Sequence, residues 1–81
     1  MEQKILIVDD EARIRKIFAK ILEDEGYVVS TVDNAERAIA QLDKIKPFII
    51  LMDQNMPGMN GIEAMKHIHV KYPDIAIIII T

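Results

Sequence analysis

Cysteine is absent from the 81-residue chain, which excludes disulfide scaffolds, thiolate zinc sites and cysteine nucleophiles. Membrane-spanning runs are absent too. The longest apolar stretches, Phe48 to Met52 and Ile75 to Ile80, fall far short of the roughly 20 residues a helical span needs. Only four strongly apolar residues separate Lys4 from Asp9, so no signal peptide is expected before the first strand, and a cytoplasmic protein without membrane contact is the expectation. Basic residues are in deficit, ten against thirteen acidic for a net charge of −3, which speaks against nucleic acid or anionic lipid as the main partner. Glycine and proline number three each, with no linker, repeat or low-complexity segment. What is there is 51% hydrophobic and 28% charged, the balance of one small globular domain over residues 1–81.

The order of elements follows from the period of the apolar residues. Lys4 to Val8 is a continuous apolar run closed by Asp9-Asp10, which predicts a strand buried on both faces. Ile14, Ile17, Phe18, Ile21 and Leu22 then recur at helical spacing among charges, and Gly26 supplies the residue that turns left-handed at the helix end. Tyr27 to Val32 is β-branched but more polar, as an edge strand should be. Asp33 or Asn34 can cap a second helix with Ala35, Ala38, Ile39, Leu42 and Ile45 inward and Lys44 and Lys46 in its last turn, stopped by Pro47.

Phe48 to Met52 is a second buried strand ending on Asp53, and the Pro57-Gly58 and Asn60-Gly61 pairs mark the following segment as a loop. A third helix is predicted with Ile62, Met65, Ile68 and Tyr72 inward, stopped by Pro73, before a last strand over Ile75 to Ile80. The string β-α-β-α-β-α-β implies right-handed crossovers and a parallel sheet covered on both faces, a three-layer α/β fold.

Such sheets bind ligands beyond the carboxyl ends of their strands. Asp9 and Asp10 follow the first strand, Asp53 closes the third and Thr81 the fourth. If strands one and three are neighbours, three carboxylates converge, and their repulsion raises the pKa of at least one unless a cation sits among them. Carboxylates with backbone carbonyls and water suit Mg²⁺ or Mn²⁺ rather than zinc. A single strand-terminal aspartate often only caps the next helix, and Asp10 could do so for the helix starting near Ala12; an adjacent pair plus a third on another strand weighs toward a site. Pro57-Gly58 and Gly61 shape the loop without carrying chemistry. His67 and His69, spaced i and i+2, face different ways on a helix and read as solvated surface groups. The five methionines read as packing.

Ile5-Leu6-Ile7-Val8-Asp9-Asp10-Glu11, then Ile49-Ile50-Leu51-Met52-Asp53, then Met56-Pro57-Gly58-Met59-Asn60-Gly61 together resemble the receiver domain of two-component response regulators. The resemblance runs over the whole chain and implies the flavodoxin-like order 2-1-3-4, with strand one between two and three. It implies that Asp53 accepts a phosphoryl group from a sensor histidine kinase or phosphotransfer protein, and that the domain is a switch and not an enzyme. Asp10 matches a direct Mg²⁺ ligand, and Asp9 a neighbour that reaches the ion through water. Asn55 matches the position whose backbone carbonyl completes the metal site. Thr81 matches the hydroxyl that hydrogen-bonds the phosphoryl oxygen. A metal-dependent phosphohydrolase of the haloacid-dehalogenase type would carry a second aspartate two positions after the nucleophile, where Asn55 stands.

The same resemblance implies a fifth strand and two further helices beyond Thr81, with a phosphoryl-pairing lysine to which no lysine here corresponds. The expectation is therefore a receiver domain cut after its fourth strand. The alternative function is a phosphotransfer-incompetent fragment that self-associates, as a homodimer or higher oligomer, through an exposed last strand of Ile77 to Ile80.

Overall fold

The structure, a computed structural model, describes residues 3–81. Its elements are β1 (Lys4–Val8), α1 (Ala12–Asp24), β2 (Val28–Val32), α2 (Ala35–Ile45), β3 (Ile49–Asp53), α3 (Gly61–Lys71) and β4 (Ala76–Ile80). Four parallel strands form one sheet in the order β2-β1-β3-β4, as the resemblance implied. Val8 pairs with Val32 on one side and Met52 on the other, and Asp53 pairs with Ile80. One step past Val8, Asp9 therefore stands level with Asp53.

Alternation along the strands divides the core. Leu6, Val8, Ile50 and Met52 turn to one face, where Ala35, Ala38 and Leu42 of α2 and Ala64 and Ile68 of α3 seal them. Ile5 and Ile7 turn to the other face and are buried beside α1. No residue of α1 is itself fully buried. Of its expected inner face, Ile14, Phe18 and Leu22 are half-buried, whereas Ile17 and Ile21 are 48% and 53% exposed.

Helix α3 corrects its expected face. Ile62 is exposed, and the buried positions are Gly61, Ala64 and Ile68. The helix approaches the sheet on its smallest residues, and a count of large apolar side chains passes over these. Tyr27 and Phe48, expected to open their strands, instead precede them and stack with ring centroids 6.2 Å apart.

The helix ends follow capping chemistry. The Asn34 side chain accepts from the Arg37 amide at 2.8 Å, and Asn60 and Glu63 form a reciprocal capping box on α3. Glu11, not Asp10, holds the N-cap position of α1, and no side chain caps that helix. The capping explanation of Asp10 therefore fails, and its carboxylate is left for the sheet end. Gly26 takes φ +96° after α1, as expected, while Lys46 closes α2 as a left-handed C-cap at φ +53°. Among the described residues, no helix is long and apolar enough to cross a membrane.

Candidate functional site

Adjacency of β1 and β3 brings the three aspartates to one point. Asp9, Asp10 and Asp53 each offer a carboxylate oxygen, and these oxygens lie within 4.8 Å of one another. Their surroundings differ. Asp9 is buried; its Oδ1 accepts the Glu11 amide at 2.9 Å, and its backbone carbonyl accepts Arg15 Nη1 at 2.7 Å. Asp10 is exposed and faces a cleft of about 500 Å³ lined also by Asp33, Asn34, Glu36, Pro57 and Gly58. Asp53 is half-buried, and its Oδ1 accepts the Asn55 amide at 3.1 Å.

Burial is the main reason the Asp53 carboxyl is raised above its ordinary value. The Asn55 amide opposes the rise, and the charges of Asp9 and Asp10 with the Asp10 hydrogen bond add to it. Three hard oxygen donors at this spacing, one of them made costly to ionise by its surroundings, match what a small divalent cation requires.

The loop over residues 54–60 is tied at both ends. The Gln54 amide donates to the Ile80 carbonyl at 2.9 Å, and Gln54 Oε1 accepts the Ile62 amide at 2.9 Å. Gly61 is needed for space and not for dihedral freedom, since only Gly26 and Gly58 among the glycines have positive φ. A Cβ at Gly61 would lie 2.7 Å from the Asp53 carbonyl oxygen. Asn55 is exposed beside Asp53, and Thr81 follows directly on Ile80, the strand partner of Asp53.

The site thus brings Asp9, Asp10, Asp53 and Asn55 together, with Thr81 at the same sheet end. Arg15, Gln54 and Glu36 support it and were not singled out from sequence. Arg15 lies six positions after Asp9 on a charged helix, and nothing in its pattern distinguishes it from Arg13 or Lys16. The histidines lie on exposed positions of α3 as expected, although His69 Nε2 is also 3.1 Å from the Ile75 carbonyl oxygen.

Comparison with known proteins agrees with this geometry. The chain is 38% identical over 81 residues to sporulation initiation phosphotransferase F of Bacillus subtilis, covering 100% of this chain and 65% of that protein. It spans less than two thirds of the length of that curated relative. Among solved structures, the chemotaxis protein CheY4 of Vibrio cholerae superposes with a TM-score of 0.93 at 33% identity, covering 98% of this chain and 68% of that one. The response regulator TrrA, solved in complex with the histidine kinase ThkA, matches with a TM-score of 0.90 at 35% identity over 98% of this chain and 68% of the other. A family model described as the response regulator receiver domain matches residues 5–81. Strand order, the acidic sheet end and this match agree, and the chain belongs to the receiver-domain family of two-component response regulators.

Proposed function

We propose that this chain is the phosphoacceptor part of a cytoplasmic signalling switch, a receiver unit that takes a phosphoryl group on Asp53 from a sensor histidine kinase or phosphotransfer protein. The observation that carries the reading is the convergence of the Asp9, Asp10 and Asp53 oxygens within 4.8 Å at the carboxyl end of the parallel sheet. A carboxylate oxygen of Asp53 forms a bond to phosphorus as the bond from phosphorus to the donor histidine nitrogen breaks. Asp10 and Asp53 would hold Mg²⁺ directly, Asp9 through water and Asn55 through its backbone carbonyl. A bound Mg²⁺ supplies charge that offsets repulsion between the carboxylates and the phosphoryl oxygens. Thr81 would donate its hydroxyl to a phosphoryl oxygen, supported by its position directly after Ile80. The kinase as partner is supported by the matched response regulator having been solved with one.

Incubation with a small-molecule phosphodonor and Mg²⁺, read by intact mass, tests the reading. A Mg²⁺-dependent phosphate adduct that Asp53→Asn lacks is the expected result; no adduct on the folded chain overturns it.

A second reading, a self-associating unit without phosphotransfer, is favoured by one observation. Strand β4 lies at the sheet edge with Ile78 50% exposed. Light scattering that shows a stable folded monomer at micromolar concentration removes that reading.

A further inference from the structure

Glu36 belongs to the first turn of α2, yet its carboxylate reaches across to the loop that follows Asp53. Its Oε2 accepts the Met59 amide at 3.4 Å. Independently, the same oxygen lies 3.2 Å from where a Cβ on Gly58 would sit, so the loop backbone passes close over this side chain. Gly58 at φ +78° turns the chain there, a conformation that side-chain-bearing residues avoid.

The neighbours of Glu36 are otherwise engaged. Asp33 accepts from Asn34 and pairs with Arg37 at 3.7 Å, and Glu36 has no cationic partner among the described residues. Among the described hydrogen bonds of residues 54–60, two reach elements not adjacent in the chain: Gln54 to Ile80 in β4, and Met59 to Glu36 in α2. Asn55 lies between these two anchors.

We infer that Glu36 is a positioning residue for the Asp53 site: it tethers the β3–α3 loop to α2 and so fixes the Asn55 backbone relative to Asp53 and Asp10. This rests on the Asp53 reading above and adds to it a link between the site and α2. A group that orients a metal ligand without touching the ion typically affects affinity by about 10–100-fold. The Glu36 contact is long and exposed, so the effect belongs near or below the lower end, about three- to tenfold.

The test is a Mg²⁺ titration of the full chain, followed by the backbone amide resonances of Asn55 and Met59. Glu36→Ala should weaken Mg²⁺ binding about three- to tenfold and move the Met59 amide proton upfield before any Mg²⁺ is added, as loss of a hydrogen bond does. Glu36→Gln keeps an acceptor oxygen and should restore both readouts. Glu36→Ala with wild-type affinity and an unmoved Met59 amide overturns the tether while leaving the Asp53 reading intact. Glu36→Gln as weak as Glu36→Ala also overturns it, because charge and not tethering would then be the cause. Wild-type chain that shows no Mg²⁺ response lost in Asp53→Asn overturns the site reading, and the tether with it.

Discussion

Asp53 sits where a carboxyl is costly to ionise, because burial and the two neighbouring aspartates raise it above 3.8. Its folded state therefore holds a proton more readily than its unfolded state. Stability falls as pH rises from that ordinary value through the raised one, and the loss is complete above the raised value. Asp53→Asn removes the charge and should melt a few degrees higher than the wild type at neutral pH without Mg²⁺, where about 1 kcal/mol moves a chain this size by about 4–8 °C. The gap should close as pH drops below the ordinary aspartate value, which paired thermal melts across that range would check. Mg²⁺ should reverse the ranking, since a ligand of the native state at a hundredfold excess over its Kd adds about 2.7 kcal/mol. Asp53→Asn should gain much less, and chelation should return the wild type to its lower midpoint. The three aspartates were legible because their spacing sets each at a strand end. Arg15 and Glu36 were not, because their contacts join residues that only the folded chain brings together.

Two helix ends carry backbone constraints, one at the far end of the sheet from the site and one beside it. Lys46 closes α2 in the left-handed region at φ +53°, where a Cβ costs about 1–2 kcal/mol. Lys46→Gly should raise stability by about 0.5–1 kcal/mol, once the greater freedom of unfolded glycine and the lost cation at the helix end are offset. A shift of the urea midpoint at constant m-value would show it. At the start of α3 the sign is opposite. Gly61→Ala forces a methyl group to within 2.7 Å of the Asp53 carbonyl, and this backbone contact cannot yield as a flexible side chain would. A loss of about 1–3 kcal/mol is expected, with lower phosphoacceptance because Asp53 or α3 must shift. Element order and most boundaries were readable from apolar period and caps. The inner face of α3 was not, because close packing selects Gly61 and Ala64 over the larger Ile62.

Across the whole molecule the two faces of the sheet are unequal. Helices α2 and α3 seal one face, with Ile77 and Ile79 of β4 packed against that core. Alternation turns Ile78 to the α1 face, where Ile17 and Ile21 are also about half exposed. The sequence marked β2 as an edge by its polarity, but the order of the three apolar strands came from resemblance, because apolar strands of equal length carry no mark of their neighbours. That order decides which strand is exposed: β2, more polar, takes one edge and the isoleucine-rich β4 the other. An apolar edge without charge is a template for a second chain. If β4 pairs with a copy of itself, a charge within the strand should prevent it at little cost to the fold, since Ile78 is already 50% exposed. Ile78→Lys should therefore leave the circular dichroism spectrum unchanged and lower the light-scattering mass to that of one chain. A wild-type protein that already scatters as a monomer, or an Ile78→Lys variant that stays associated, would show that β4 is not the contact. The first result removes self-association through this edge, and the second moves the contact to another surface.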